Sequence, residues 1–270
     1  MTVSQQQIQN YRKAVNASAT DAQKYLKSVS KAYLEVYPTA SVAEVRNYTI
    51  KAIQDALSVF GDESKLIANE FFDTLAKEHG SKLTAEMFDT FDDELMEQKV
   101  RYYAQALIAG DTDKFTNDVS SLASYYVKRE AFQNMYENCK KNGIRYARVP
   151  TGKETCAFCF MLSSRGFVYA GEAEAGGEGN EYHAHCDCTI IPNFGNTKVA
   201  GYDPDALYKR YKQCYKEAQE SGVMSYENYM QANKDLPVEQ QENITKWKTK
   251  QLMKIIDSHD YKWLWTGKSS

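Results

Sequence analysis

The sequence predicts a mainly α-helical protein in which a small α+β module with clustered cysteines separates two helical regions. Three observations lead to this fold class. Residues 4–142 contain one proline and few glycines and are rich in good helix formers. From Gly143 the chain changes to short β-branched and aromatic runs, and helix signals resume at Asp203-Pro204. We therefore expect a helical domain at 1–142, an α+β module at 143–200 and C-terminal helices at 201–270.

The N-terminal region is predicted to contain four to six long helices. Pro38 separates the first two, because Ser41 and Glu44 form a capping-box pair just after it. A later helix is predicted to end near Gly110. Its residues recur every three or four positions along one face, namely Leu83, Met87, Phe91, Leu95, Gln98, Tyr102 and Ala106.

Another helix is predicted to follow, capped by Asp111 or Asp113 and ending at Asn142-Gly143. Its packed side is expected to hold Phe115, Val119, Leu122, Tyr126, Ala131 and Met135. Stretches such as 55–70 are polar on all sides, so the pattern leaves open whether the helices form one bundle or an extended arm.

The α+β module is predicted to contain three short strands, within IRYARVPTGK, FVYAG and CTIIPNF. Between the last two lies GEAEAGGEGNEY, whose four glycines and four glutamates indicate a surface loop.

The C-terminal region is predicted to contain three helices. The first begins with the cap Asp203 and Pro204 and continues to Gly222, a short one starts at Ser225, and a longer one runs from about Pro237 to Ser258. The tail that follows carries Trp263 and Trp265, which either pack back on the body of the protein or dock on a partner.

The whole-chain properties exclude several classes. A 43% hydrophobic content in 270 residues is enough for an ordinary core, and no apolar stretch approaches the length of a membrane span. The N-terminus lacks a signal-peptide pattern, so we expect synthesis in a cytosol, where thiols are reduced, and no membrane association. A net charge of −3 gives no overall electrostatic footprint for nucleic acid.

Between Thr155 and Cys188 the chain holds four of its six cysteines and two of its four histidines. In a reducing compartment such a cluster indicates metal or redox chemistry before structural disulfides. The spacing CxxC followed by HxxCxC is typical of a zinc site, and a metal would stabilise a segment too short for its own core. The predicted zinc ligands are Cys156, Cys159, His183 and Cys186, with Cys188 and His185 as substitutes.

Other interpretations of these thiols remain open at this point. Cys188 is alternatively a small buried apolar side chain, and Cys156 alternatively forms a disulfide with Cys159 or Cys186. A redox CxxC normally sits in a βαβ unit, which this sequence lacks. The two remaining thiols, Cys139 and Cys214, lie on predicted helix faces and are expected in the core.

The zinc is predicted to be structural, so the protein is not expected to be an enzyme. The nearby carboxylates Glu154, Glu178, Glu181 and Asp187 do not form an HExxH or deaminase-like arrangement. One alternative is a zinc-dependent effector enzyme, such as a nuclease, that uses Glu181 or Asp187. Another is DNA binding through basic residues at Lys140, Lys141, Arg145, Arg148, Lys246, Lys248, Lys250 and Lys254.

The run RVPTGKETCAFCFMLSSRGFVY followed by YHAHCDCTIIPNF resembles the signature of minor head proteins of tailed bacteriophages, the MuF-like or head-morphogenesis family. The helical segment before it and RVPTG resemble the branch from phages and prophages of Gram-positive bacteria. His185 departs from the pattern, since relatives more often carry a residue such as asparagine there. The matching positions are Thr155, Cys156, Cys159, Leu162, Gly166, His183, Cys186, Cys188 and Pro192.

This resemblance implies a structural protein made in the bacterial cytoplasm and located inside the virion capsid. Its implied partners are the portal protein and the major capsid protein during head assembly, and packaged DNA is a further candidate. The roughly 75 residues after Phe194 carry no catalytic motif, so an appended enzyme domain is not expected.

Overall fold

The computed structural model describes residues 2–151, 155–170, 188–237, 240–241 and 243–259. These residues form two compact units. The first contains Val3–Ile144 and Phe194–Thr197, and the second contains the described residues of Arg145–Asn193 and Lys198–Ser270. The expected mainly α-helical class is confirmed, whereas the three-part division predicted above stays a prediction. Within these ranges, no helix combines the length and apolar content needed to cross a lipid bilayer.

The elements of the chain occur in the following order. The first unit and its boundary contain β1 (Thr2–Val3), α1 (Gln5–Val36), α2 (Val42–Ala56), a π-helical turn (Leu57–Gly61), α3 (Asp62–Glu78), α4 (Asp93–Tyr103), α5 (Gln105–Ile108) and α6 (Thr112–Lys141). The remaining elements are β2 (Tyr146–Pro150), α7 (Ala157–Ser163), β3 (Cys188–Pro192), β4 (Lys198–Val199), α8 (Pro204–Glu220), α9 (Tyr226–Asn233) and α10 (Ile244–Ser258).

Helix α6 is the packing centre of the first unit. Its most extensive contact is with α1, and it also contacts α3 and the π-helical turn. All six residues predicted for its packed side are buried. Its predicted ends are also confirmed, since the Asp111 carboxylate accepts a hydrogen bond from the backbone N–H of Lys114 and Gly143 follows with a φ of +62°.

The break between α1 and α2 lies where the sequence predicts it. Ser41 and Glu44 exchange the two hydrogen bonds of a capping box at the start of α2. Across the break, the rings of Tyr33 and Tyr48 stack with centroids 4.0 Å apart. Local cap chemistry and one aromatic contact therefore fix the turn between the two helices.

The helix predicted across residues 83–106 is wrong in its first half. Residues 81–92 have no regular structure, and the helix begins only after the cap Asp92. Two asparagine side chains of α6 accept hydrogen bonds from backbone N–H groups of this segment. Asn138 Oδ1 accepts from Glu86 at 2.8 Å, and Asn134 Oδ1 accepts from Phe88 at 2.8 Å. These long-range bonds replace the bonds that a helix would make, which no local periodicity reveals.

A buried ion pair lies beside the end of this segment. Lys65 Nζ is 3.0 Å from Glu130 Oε2, and both residues are buried. The Thr90 hydroxyl donates to the same carboxylate oxygen at 2.7 Å, so the segment is held to α6 at this point as well. Removing only one partner of such a buried pair is strongly destabilising, because the remaining charge is left buried without compensation.

Two strands of the second unit, β2 and β3, form an antiparallel pair. β2 and β3 pair with Tyr146 opposite Pro192 and Pro150 opposite Cys188, so the first and third predicted strands are confirmed. The second predicted strand is reduced to a single bridge between Tyr146 and Tyr169. Every residue of β2 and β3 is buried.

The helices of the second unit follow their cap signals. The carboxylate of Asp203 caps α8 with Pro204 in the first turn, and Ser225 caps α9, as predicted. The last helix does not start near Pro237, because Asn243 supplies the cap for α10 by accepting from the backbone N–H groups of Thr245 and Lys246. The tail residues Trp263 and Trp265 lie outside the described residues.

Candidate metal centre

The CxxC sequence forms the start of a helix rather than an isolated turn. Cys156 is the N-cap residue of α7, with φ −67° and ψ 155°, and its Sγ atom accepts a bond from the backbone N–H of Cys159 at 3.4 Å. Cys156 is exposed, whereas Cys159 is fully buried. The first helical turn therefore holds both sulfurs on the same end of α7, with one facing inward.

Cys188 brings a third sulfur to this place. It is the first residue of β3, it is 4% exposed, and its Sγ atom lies 3.7 Å from that of Cys159. Two sulfurs bound to one tetrahedral zinc at about 2.3 Å lie about 3.8 Å apart, whereas a disulfide bond is about 2.05 Å long. The observed separation suits two ligands of one metal ion, and it also permits a thiol-to-sulfur hydrogen bond without metal.

No disulfide joins the three described cysteines of the cluster, Cys156, Cys159 and Cys188. This arrangement does not contain the alternative Cys156–Cys159 disulfide, while a Cys156–Cys186 bond involves a residue outside the described range.

Arg148 is a part of the site that the sequence analysis missed. Its Nε and Nη2 atoms lie 3.2 Å and 2.8 Å from Cys188 Sγ, and the arginine is only 2% exposed. The strand register explains the contact, because Arg148 faces Ile190 and Pro150 faces Cys188, which puts the two side chains diagonally on one face. A guanidinium group can only donate, so the sulfur accepts both bonds.

Arg148 also does not belong to an exposed basic surface, where the DNA-binding alternative placed it. Two other basic residues considered for DNA binding form ion pairs: Lys140 pairs with Glu137, and Lys141 pairs with Glu86. Three of the lysines on α10 are spaced four residues apart and exposed, namely Lys246, Lys250 and Lys254.

Two tyrosines fix the other end of α7. The hydroxyl of Tyr169 donates to the carbonyl of Leu162, and the hydroxyl of Tyr202 donates to the carbonyl of Ser163, both at 2.5 Å. Burial raises the pKa of both tyrosines well above the usual range, so both stay protonated donors. The helix that carries Cys156 and Cys159 is thereby held at both ends.

The remaining predicted ligands cannot be placed in this geometry. His183 and Cys186 lie outside the described residues, as do His185, Glu154, Glu178, Glu181 and Asp187. In the described part of the chain, no group of three or more Cys, His, Asp or Glu side chains has the arrangement of a metal site. The zinc site therefore stays a prediction, to which the structure contributes the positions of Cys156, Cys159 and Cys188.

The two cysteines outside the cluster are core residues, as expected. Cys139 on α6 and Cys214 on α8 are both fully buried. Burial raises the pKa of the Cys139 thiol far above its usual range, which keeps the thiol neutral and unreactive.

Comparison with known proteins places the chain in a family. The model of the VG15 protein family matches residues 2–214. The Gene 15 protein of Mycobacterium phage D29 is 35% identical over an alignment of 77 positions, which covers 18% of this chain and 28% of that protein. The alignment thus spans less than a third of that relative's length, and no solved structure gives a significant match. The chain belongs to the VG15 protein family and is a phage protein.

Proposed function

We propose that the protein is a structural minor head protein of a tailed phage or prophage, located inside the capsid and associated with the portal and major capsid proteins during head assembly. Its membership of the VG15 family and its similarity to a mycobacteriophage protein support a phage origin. The resemblance of residues 148–192 to the minor head signature supports the head role.

The main support for the proposal is a contact between one cysteine from each half of that signature. Cys159 from the first half and Cys188 from the second have sulfurs 3.7 Å apart, although they are 29 positions apart in the sequence. A zinc ion held here by Cys156, Cys159 and Cys188, together with His183 or Cys186, would link α7 to the β2–β3 pair. Coordination bonds of this kind stabilise a segment that has little core of its own.

Arg148 has a defined task in this site. Several thiolates around one Zn²⁺ leave a net negative charge in a buried place, which is costly without compensation. The guanidinium offsets that charge and orients the Cys188 sulfur through two hydrogen bonds. Partners of this kind outside the ligand set commonly tune metal affinity.

We assign the zinc a structural rather than a catalytic role. A catalytic zinc keeps one position open to substrate. Here Cys159 and Cys188 are buried, and Arg148 closes one side of the Cys188 sulfur. The protein then acts through its contacts with other head proteins and not as an enzyme.

The proposal is tested by coexpressing the tagged chain with the portal and major capsid proteins of the same phage. We expect the portal protein to copurify with the wild type, and head-like particles to contain the chain. The variant Cys159→Ser is expected to lose zinc and reduce this association, whereas Cys214→Ala is a control that changes a buried cysteine far from the cluster in sequence. A folded wild-type chain that binds neither protein would contradict the head role.

A further inference from the structure

The second unit contains a cleft that the metal centre does not use. It has a volume of about 700 Å³ and lies between α7, α8 and α10. This volume falls within the range of about 300–1,000 Å³ typical of ligand-binding clefts. The cleft is therefore large enough to receive several side chains of another molecule.

The lining of the cleft combines apolar, aromatic and polar side chains. Leu162 of α7 and Leu252 of α10 are almost fully buried and Met224 is 8% exposed, while the polar lining residues are Gln219, Ser225, Thr245 and Thr249. Tyr215 of α8 lines the cleft while 42% exposed, and its ring is 6.4 Å from that of Tyr211. Tyrosine at such an edge offers apolar area together with a hydrogen-bonding tip, which is typical of protein interfaces.

The charged residues of the cleft are all basic. Arg165 and Lys248 line it, and none of its described lining residues is acidic. Burial raises the pKa of Tyr211, and the nearby positive charge of Arg165 opposes part of that shift. In a chain with a net charge of −3, this local excess of positive charge favours an anionic occupant.

Only part of the cleft lining lies within the residues that the family model matches. Helix α7 and the first part of α8 lie within the matched residues 2–214, whereas Met224 and α10 lie beyond them. The cleft thus joins a wall built by the family region to a wall built by residues outside it.

We propose that this cleft is a docking site for an amphipathic helical segment of another protein, whose apolar side chains enter the cleft and whose acidic side chains pair with Lys248 and Arg165. Recognition of this kind places an apolar helix face in a groove, with spacing i, i+3 or i+4 and i+7. The proposal goes beyond the head role and is tested on the wild-type cysteine cluster.

The test uses the full chain and two synthetic peptides of about 16 residues, long enough for a short amphipathic helix. Both carry leucines on one face; one has glutamates and the other lysines on the flanking positions. We expect saturable binding of the glutamate peptide in fluorescence anisotropy, and binding of the lysine peptide at least about tenfold weaker.

Two variants on α10 make the test specific. Lys248→Glu reverses a charge that lines the cleft, and we expect it to weaken binding of the glutamate peptide about tenfold. Lys246→Glu makes the same charge change on the same helix outside the cleft, and we expect an effect below about twofold. Tyr215→Ala is expected to weaken binding of both peptides without changing the circular dichroism spectrum.

Three results would overturn the proposal. The first is an absence of saturable binding of the glutamate peptide up to about 1 mM. The second is an equal effect of Lys248→Glu and Lys246→Glu, which would indicate attraction to the helix charge alone. The third is an increase of about tenfold or more in peptide affinity when the chain is ended after His259, which would make the protein's own C-terminal residues the occupant.

Discussion

The guanidinium of Arg148 donates two hydrogen bonds to the sulfur of Cys188 across the β2–β3 pair, with the shorter one at 2.8 Å. The same sulfur lies 3.7 Å from Cys159, so one buried atom joins an arginine on β2 to a cysteine on α7. This relationship links the strand pair to the helix in the segment that resembles the minor head signature.

Removing the arginine is expected to destabilise the second unit. Arg148→Met keeps most of the buried volume but leaves the Cys188 sulfur without its two donors, and hydrogen bonds to charged groups contribute about 1.5–3 kcal/mol. We expect the free energy of unfolding in urea to fall by about 2–3 kcal/mol. The control Arg145→Met changes an exposed arginine just before β2 and should stay within about 0.5 kcal/mol of wild type. Equal free energies of unfolding for the two variants would show that the Arg148–Cys188 contact does not stabilise the protein.

The segment 81–92 is expected to depend on the amides of α6. Asn138→Ala removes the acceptor for the backbone N–H of Glu86 and a donor to the Glu86 carbonyl, which leaves partly buried groups unpaired. We expect a loss of about 1–3 kcal/mol and faster hydrogen exchange at Glu86 and Phe88. Asn117→Ala changes an exposed asparagine on the same helix and serves as the control. Unchanged exchange at Glu86 in Asn138→Ala would contradict this account of the segment.

The buried pair Lys65–Glu130 is expected to show strong coupling. Lys65→Met leaves the Glu130 carboxylate buried without its cation, so we expect a loss of about 3–5 kcal/mol. Adding Glu130→Gln removes the stranded charge, and the double variant is expected to recover much of that loss. A double-mutant cycle measured by chemical denaturation gives the coupling energy. Additive effects of the two substitutions would mean that the pair does not act as a unit.

The start of α2 is expected to weaken in acid. The Ser41 hydroxyl and backbone N–H both donate to Glu44, and these bonds hold the pKa of Glu44 below its usual value of 4.5. A carboxylate with a lowered folded-state pKa stabilises the protein above its unfolded pKa, and this stabilisation is lost as pH falls through the folded-state value. The difference in Tm between wild type and Glu44→Gln should therefore be largest near neutral pH and shrink below about pH 4.5. Glu70→Gln makes the same substitution at an exposed site in the middle of α3 and is measured alongside as the matched control.

Elements with their signals in adjacent residues could be predicted from the sequence. The Ser41–Glu44 box, the Asp203-Pro204 start and the Asn142-Gly143 end each depend on side chains within a few positions of the cap, and all three are confirmed. The same logic did not find Cys156 as the cap of α7, because cysteine is not among the usual N-cap residues.

Features that depend on distant residues could not be predicted in this way. The periodic face from Leu83 to Phe91 resembles a helix, but its backbone is bonded by Asn134 and Asn138 on α6. Likewise, Arg148 resembles a surface cation until the strand register places it diagonally opposite Cys188. Both outcomes depend on tertiary contacts, which override local preference. Such contacts cannot be recognised from the spacing of residues in the sequence.

The central claim is that the cysteine cluster is a structural zinc site, and elemental mass spectrometry of the purified protein tests it most directly. Wild type is measured beside Cys156→Ser, Cys159→Ser and His183→Ala, with Cys214→Ala as the control for a cysteine outside the cluster. The account predicts about one zinc ion per chain in wild type and control, and loss of zinc together with thermal stability in the three cluster variants. A wild-type chain without metal, in which Cys156 and Cys159 are oxidised to a disulfide, would contradict it.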